Sequence, residues 1–154
     1  AESLGYHPEL LLAGRRLNDN MAEWIVDKII LELTKNSISL FKANILILGF
    51  SFKENCGDIR NTKIIDIINK LNYYNINLDI VDPVIDLEEA KSKLNLNISG
   101  KIHEEKKYDC VFLAVSHTQF SEMNLNDWLK LIKPNGIFFD LKNTIPRELN
   151  PKRI

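Results

Sequence analysis

Short apolar runs alternate with helically spaced apolar stripes along most of this chain. Continuous runs rich in branched residues predict buried parallel strands over 43–50, 77–83, 108–116 and 136–141, and a further short strand is compatible with 97–102. Helical spacing predicts helices over 16–33, 59–74, 86–94 and 125–132. Strands that alternate with helices predict an α/β fold, in which a parallel sheet carries helices on both faces. Ligands of such sheets bind beyond the carboxyl ends of the strands.

The first predicted helix is apolar on more than one side. One stripe holds Leu17, Met21, Trp24, Ile25, Ile29 and Leu33, whereas Val26, Ile30 and Leu31 lie off it. A helix of this kind needs cover on more than one side, so we expect another domain or a partner subunit to supply it. Trp24 and Trp128 are interpreted as packing anchors rather than as platforms for base stacking.

Composition and charge narrow the class of protein. Of 154 residues, 45% are hydrophobic and 27% charged, the balance of one globular domain with a core. A net charge of −1 argues against a general nucleic-acid or membrane-surface binder. No apolar run has the length of a membrane span, and the two cysteines lack zinc-site spacing, so we expect no metal and a cytoplasmic location. The chain begins at Ala1 without an initiator methionine, and we expect it to be part of a longer protein.

The polar loop after the first predicted strand carries the candidate binding chemistry. Its sequence, GFSFKENCGDIR over 49–60, lacks the G-x-G-x-x-G spacing that lets backbone amides hold a dinucleotide pyrophosphate. Lys53 and Arg60 offer positive charge to a diphosphate instead. Arg60 is expected at the start of the next helix, where the helix dipole also favours an anion. On charge alone, both residues fit equally well as solvated surface cations.

Several stretches of the chain, in the same order, resemble one protein family. They are GFSFKENCGDIRNTK over 49–63, VDP over 81–83, GYHPE over 5–9 and AGRRLNDNM over 13–21. These stretches are similar to the UDP-glucose/GDP-mannose dehydrogenase family over essentially the whole chain. The upstream stretches resemble the branch that acts on UDP-N-acetylhexosamines in Vi-antigen and O-antigen biosynthesis. The resemblance implies the end of a central helical dimerisation domain over 1–36 and a C-terminal Rossmann-like, UDP-sugar-binding domain over 37–154.

The resemblance also implies an activity for the parent enzyme. Family members oxidise the C6 alcohol of a nucleotide sugar to a carboxylate in two NAD-dependent steps, through a thiohemiacetal and a thioester on a catalytic cysteine. Their NAD-binding domain and that cysteine precede the region that this chain resembles. The chain is thus expected to bind a UDP-sugar, to hold no catalytic residue, to be inactive alone and to form a homodimer through the 16–33 helix. A UDP-glucose or GDP-mannose branch and a non-catalytic Rossmann-like dimerisation module are the alternatives.

The same resemblance assigns binding roles to individual residues. Phe52 and Lys53 would contact the UDP-sugar, with Lys53 near the sugar and the diphosphate. Arg60 would reach the NAD pyrophosphate across a domain cleft. Lys142 stands where the family often has D-x-R or D-x-K, and would add a contact to the nucleotide sugar, although lysine lacks the bidentate fork of arginine.

Four other residues near this loop have structural and functional interpretations. Asp82 ends the second strand, where a ribose-binding acid would lie, but without the glycine fingerprint a structural turn role is favoured. His117 follows the third strand and either contacts the nucleotide or caps the next segment. Cys56 is interpreted as a non-functional thiol and Cys110 as a core residue.

Three basic residues lie further upstream. For Arg15 and Arg16 there are two interpretations: they face the active site or the dimer partner, or they have a structural role at the helix start. The structural role is favoured. His7 precedes a proline and has no assigned role.

Overall fold

The computed structural model describes the backbone of residues 8–153 and the side-chain surroundings of residues 19–153. Its strands are β1 (Asn44–Leu48), β2 (Asn77–Val81), β3 (Ile98–Ser99), β4 (Tyr108–Leu113), β5 (Ile132–Asp140) and β6 (Lys152–Arg153). Its helices are α1 (Pro8–Lys35), α2 (Ile64–Tyr73), α3 (Leu87–Leu94), α4 (Thr118–Ser121) and α5 (Leu125–Leu129). The strands form one parallel sheet in the order β3-β2-β1-β4-β5-β6. The predicted Rossmann-like α/β architecture is therefore confirmed.

The strands carry apolar side chains on both faces because helices cover both faces. In β1, Ile45 and Ile47 belong to one core, and Leu46 and Leu48 belong to the core on the opposite side. Helices α1 and α2 complete the first core, and α5 completes the second through Trp128, whose side chain is buried. Full burial of an isoleucine or leucine side chain of β1 contributes about 1.5–3 kcal/mol to the stability of the fold. The role predicted for Trp128, a packing anchor, is confirmed.

Helix α1 packs one face against α2 and β5. The side chains on that face are Ala22, Ile25, Val26, Ile29 and Leu33. Met21, Trp24 and Leu31 point away and are 46%, 43% and 44% exposed. The predicted helix is confirmed, and its exposed apolar residues agree with a helix that needs cover from another domain or a partner subunit. Among the described residues, Trp24 does not act as a packing anchor. Its ring lies 5.5 Å from the Lys28 Nζ instead.

Helix α2 begins at Ile64, five residues later than the apolar spacing predicts. Ile59 is buried, which explains why it matched the helical stripe, but it lies in the loop. Asn61 follows with a φ of 59°, a left-handed conformation that cannot be part of a right-handed helix. Arg60 therefore does not lie at a helix start, and the predicted help from the helix dipole is wrong.

Strand β5 begins at Ile132, whereas the sequence predicts a helix up to residue 132 and a strand only from residue 136. The pairing with β4 shifts between Tyr108–Ile132 and Cys110–Ile137, which marks a bulge that absorbs Pro134 and Asn135. Helix α5 accordingly ends at Leu129 rather than at Ile132. The elements α4 and β6 were not predicted, and β3 matches the short strand compatible with 97–102.

Several loops of this chain turn through asparagine rather than glycine. The non-glycine residues with positive φ are Ser37, Lys42, Asn55, Asn61, Asn75, Asn95, Asn135, Asn143 and Asn150. Asn95 ends α3, and Asp86 caps its other end by accepting a hydrogen bond from the Glu89 amide at 3.1 Å. None of the helices over 8–153 combines the length and the apolar character that crossing a bilayer requires.

Candidate functional site

The chain leaves β1 through a glycine that no other residue can replace without movement. Gly49 has a φ of 91°, and a Cβ built on it would lie 2.5 Å from the Val115 Cβ and 2.6 Å from the Val115 carbonyl oxygen. The backbones that follow β1 and β4 therefore touch at this point. This contact starts the loop over 50–63 at the carboxyl edge of the sheet, where parallel α/β proteins bind ligands.

Asp82 organises the two loops that leave β1 and β2. Its Oδ2 accepts hydrogen bonds from the amides of Phe50, at 2.7 Å, and Ser51, at 3.0 Å. Its Oδ1 accepts from the amides of Val84, at 2.9 Å, and Ile85, at 3.3 Å. The side chain has no exposed surface, so the carboxylate has no free face for a ribose hydroxyl. This geometry supports the structural role that the sequence favours for Asp82.

His117 joins the same carboxylate to the far end of the loop. Its Nδ1 accepts a hydrogen bond from the Asn55 amide at 2.9 Å, so the proton lies on Nε2, which donates to Asp82 Oδ2 at 2.9 Å. Burial raises the pKa of the Asp82 carboxyl, but hydrogen bonds from His117 and from backbone amides outweigh burial and lower the pKa to about 2. His117 is itself fully buried and its side chain makes no helix-capping hydrogen bond. His117 does stand at the predicted cap position of α4, where its carbonyl oxygen accepts from the Phe120 and Ser121 amides, but its side chain makes no cap bond and has no exposed surface for a ligand.

Ser51, His117 and Asp82 lie together, but they do not form a nucleophilic triad. The Ser51 Oγ is 3.3 Å from His117 Nε2, the same nitrogen that donates to Asp82. In a catalytic triad the acid and the serine bind opposite ring nitrogens, and the ring accepts the serine proton. Here Nε2 already carries a proton and Nδ1 is occupied by Asn55. The cluster therefore holds the loop in place.

A cavity of about 380 Å³ lies at the carboxyl ends of β1, β4 and β5. Loop side chains, among them Phe52, Asn61 and Thr62, line it together with Lys142 and Met21 of α1. The Phe52 ring is 57% exposed, which is unusual for a large apolar side chain. The cavity thus brings Phe52 and Lys142, which are far apart in sequence, to one place. A larger cavity of about 920 Å³ opens elsewhere, beside Phe120 and Gln119, and none of the predicted site residues lines it.

The turn after β5 holds Lys142 in the cavity wall. Asp140 is buried and accepts hydrogen bonds from the amides of Lys142 and Ile145, both at 2.9 Å. The Lys142 Nζ lies 3.0 Å from Glu54 Oε1, and both side chains are partly exposed. Hydrogen bonds from its own backbone amide and from Lys142 lower the pKa of Glu54. Glu54 therefore competes with any anionic ligand for this lysine.

The other two predicted cations lie outside the lining of that cavity. Lys53 is exposed and has no ion-pair partner within the part of the chain that the structure describes. Arg60 instead forms two hydrogen bonds to the Asp58 carboxylate, at 3.0 Å each. The side-chain hydrogen bond from Arg60 lowers the pKa of Asp58 to about 2. Lys53 is thus the available charge of the loop, while Arg60 has a competing anion.

The two cysteines differ in burial. Cys110 is fully buried in β4, as the sequence predicts, and burial raises the pKa of its thiol. Cys56 is half-buried in the loop, and no His117 atom is bonded to it. No cluster of three metal-ligating side chains occurs among the described residues. His7, Arg15 and Arg16 lie outside the described side chains.

Sequence reasoning missed the residues that fix the loop. Thr62 donates its hydroxyl to the Phe50 carbonyl at 2.6 Å, and the Asn55 side chain accepts from the Thr118 amide at 2.9 Å. A local signal existed only for Asn55, because asparagine tolerates the left-handed conformation that it adopts. The long-range partners could not be read from spacing.

Comparison with known proteins gives a consistent result. The model of the UDP-glucose/GDP-mannose dehydrogenase family, UDP binding domain, matches residues 46–147. UDP-N-acetyl-D-glucosamine 6-dehydrogenase of Salmonella typhi is 39% identical over the whole chain, which spans 36% of that protein. Protein CapL of Staphylococcus aureus is 43% identical over 94% of the chain and 34% of its own length. The chain therefore spans about a third of the length of these curated relatives.

Solved structures share the fold. NDP-N-acetyl-D-galactosaminuronic acid dehydrogenase of Methanosarcina mazei superposes with a TM-score of 0.79 at 18% identity, covering 90% of this chain and 28% of that one. At this identity the similarity concerns the architecture alone.

Proposed function

Because the chain belongs to the UDP-glucose/GDP-mannose dehydrogenase family, we propose that it is the C-terminal nucleotide-sugar-binding part of an NAD-dependent UDP-N-acetylhexosamine 6-dehydrogenase. The reaction would oxidise the C6 alcohol of the sugar to a uronate for a surface polysaccharide. The relatives of Salmonella typhi and Pseudomonas aeruginosa, both UDP-N-acetyl-D-glucosamine 6-dehydrogenases by name, support this branch at 39% and 38% identity. Residues 1–36 would be the end of a central domain and 37–154 the binding domain.

The observation that carries this proposal is the cavity at the carboxyl edge of the sheet. Phe52 offers an exposed aromatic face to a base or sugar ring, and Lys142 lines the same space. Lys53, which follows Phe52 in the same loop, adds a positive charge that has no ion-pair partner among the described residues. An ammonium group in one cavity with an apolar ring, and a second lysine next to that ring in the sequence, suit a diphosphate joined to a nucleoside. The Lys142 Nζ lies 3.0 Å from Glu54 Oε1. Binding would therefore require Lys142 to leave this carboxylate and pair with the ligand instead.

The described residues do not by themselves form an NAD site. The glycine fingerprint is missing after β1, and the Asp82 carboxylate is fully hydrogen-bonded. Arg60 would contact the NAD pyrophosphate only after it leaves Asp58. In the proposed enzyme the nucleophile lies outside this chain, so the proposed role here is binding, and the isolated chain is expected to be inactive.

A homodimer through the 16–33 helix belongs to the same proposal. Trp24 and Leu31 are large apolar side chains on α1 that the described residues leave exposed. Replacing Trp24 with glutamate should convert a dimer into a monomer in sedimentation experiments. Tyr73→Glu is the matched control, because Tyr73 is 83% exposed on α2. A wild-type chain that sediments as a monomer contradicts the dimer.

Ligand binding is tested by thermal unfolding with UDP, UDP-N-acetylglucosamine and GDP. A ligand that binds the folded state raises the melting temperature, and UDP ligands should raise it more than GDP does. Lys53→Ala should weaken UDP binding roughly 10-fold to 100-fold, as expected for the loss of a charge-assisted contact. Lys91→Ala, on the exposed side of α3, is the control and should have no effect. Equal shifts with UDP and GDP, or equal behaviour of the two lysine variants, would overturn the assignment.

A further inference from the structure

The loop segment that carries Lys53 is fixed on both sides of that residue. On the amino-terminal side, the amides of Phe50 and Ser51 donate to Asp82. On the carboxyl-terminal side, the Asn55 amide donates to His117 Nδ1. The Ser51 hydroxyl also donates to the Lys53 carbonyl at 3.0 Å. Two buried side chains, Asp82 after β2 and His117 after β4, therefore anchor the segment through hydrogen bonds.

The two buried side chains act as one unit with Asn55, which we call the loop clamp and define as Asp82, His117 and Asn55. The proton on His117 Nε2 bonds to Asp82, and this fixes the ring so that Nδ1 can accept from Asn55. The Asn55 side chain in turn accepts from the amide and the hydroxyl of Thr118, at 2.9 and 3.1 Å. The clamp therefore connects the ends of β1, β2 and β4 through side chains.

The clamp cannot contact a ligand through its two buried members. Asp82 and His117 have fully buried side chains, and neither lines the cavity that holds Phe52 and Lys142. The Lys53 side chain, by contrast, is exposed, and its backbone lies between the two anchors. A long flexible lysine binds a fixed anion better when its backbone is already positioned, because less conformational freedom is lost on binding.

We propose that His117, held by Asp82, is a positioning residue that presets the backbone around Lys53 for the phosphate groups of the nucleotide sugar. This assignment rests on the proposed function for the identity of the ligand, but the clamp itself is defined without a ligand. It gives His117 a role in affinity without any contact to the bound molecule. It also explains why a polar ring is buried at the ligand edge of the sheet.

Two substitutions separate the two halves of the clamp. His117→Asn places an amide oxygen near the position of Nδ1, so it keeps an acceptor for Asn55 and loses the bond to Asp82. His117→Gln places an amide nitrogen near the position of Nε2, so it keeps the donor to Asp82 and leaves the Asn55 amide without an acceptor. The loop should loosen in both variants, and more in the second, because there the Asn55 amide has no acceptor at all. Urea unfolding of both variants shows that each is folded before the loop is compared.

Amide hydrogen exchange measures the loop without any ligand. The Phe52 amide donates to the Asp58 carbonyl at 2.9 Å, a bond outside the clamp, so its exchange reports the whole loop. We expect Phe52 to exchange at least roughly 10-fold faster in His117→Gln than in His117→Asn, with the Ile80 amide of β2 unchanged in both. Equal Phe52 exchange in the two variants overturns the proposal, whether or not UDP binds.

Affinity for UDP then tests whether the clamp acts through Lys53. A loop that spends about a tenth of its time in the competent conformation binds about tenfold more weakly, so His117→Gln should raise the Kd for UDP roughly 10-fold. In a Lys53→Ala background the same change should raise it less than about 2-fold, because the group being positioned is gone. Additive effects overturn the positioning role. Absence of UDP binding by the wild type contradicts the proposed function, and hydrogen exchange still decides the clamp.

Discussion

Replacing Asp82 by asparagine removes a charge that five donors share. The new side-chain amide would have to turn its NH2 group towards the donors at Oδ1 or at Oδ2. The less costly orientation faces the amides of Val84 and Ile85, which then lose their acceptor. Each buried N–H without a partner costs about 1–3 kcal/mol, and the three remaining bonds weaken because their acceptor is neutral. We expect Asp82→Asn to lower the free energy of unfolding by about 3 kcal/mol or more near neutral pH.

The same substitution has a defined pH dependence. The pKa of Asp82 falls from 3.8 in the unfolded chain to about 2 in the folded protein. A carboxyl whose pKa is lowered by folding stabilises the protein above its unfolded pKa, and this stabilisation is lost as the pH falls through the folded pKa. The full contribution is about 2 kcal/mol, of which about 1 kcal/mol is lost between roughly pH 6 and pH 3. The stability difference between wild type and Asp82→Asn should shrink by that amount.

Urea unfolding followed by far-ultraviolet circular dichroism, at both pH values, measures this difference. Asp86→Asn is the matched control, because Asp86 caps α3 and asparagine caps equally well. The control should change stability by less than about 0.5 kcal/mol. A wild-type advantage over Asp82→Asn that does not change with pH, or that is below about 1 kcal/mol, would refute the reasoning.

Two further predictions concern the same loop. Gly49→Ala should lower the free energy of unfolding by at least about 3 kcal/mol, because the new Cβ would lie 2.5 Å from the Val115 Cβ at a positive φ, whereas Gly100→Ala should cost little, since its new Cβ meets only ordinary contacts. Urea unfolding of both variants checks this, and equal losses would contradict it. Arg60→Ala should raise the pKa of Asp58 from about 2 towards 3.8 in an NMR titration, and an unchanged pKa would show that Arg60 is not its partner.

The sheet could be predicted because burial on both faces leaves a direct trace in the sequence. Residues 45–48 and 110–113 are apolar at successive positions, and only a covered strand tolerates that pattern. The errors have an equally physical origin. Ile59 is buried although it lies in a loop, so it matched the apolar spacing of a helix. Pro134 and Asn135, which are typical of turns, lie in a bulge inside β5 rather than before its start.

Part of the candidate site could also be predicted from the sequence, and part of it could not. The motif resemblance pointed to Phe52, Lys53, Arg60 and Lys142, and the fold brings Phe52 and Lys142 into one cavity. The sequence could not show that Arg60 is held by Asp58, because both are ordinary charged residues of one loop. Nor could it show the contacts that join His117 to Asp82, 35 positions away, and to Asn55, 62 positions away. Such pairings depend on strand order, and strand order is a property of the folded sheet.

The left-handed asparagines have a consequence for how this chain can vary. At 55, 61, 75, 95, 135, 143 and 150 the backbone admits glycine and asparagine readily and most other residues only with strain. Across relatives we therefore expect Asn and Gly to exchange at these positions while branched residues stay rare, even where the surrounding loop drifts freely. Turn geometry therefore accounts for part of the asparagine content of this chain. Codon bias alone would not concentrate asparagine at positions with positive φ.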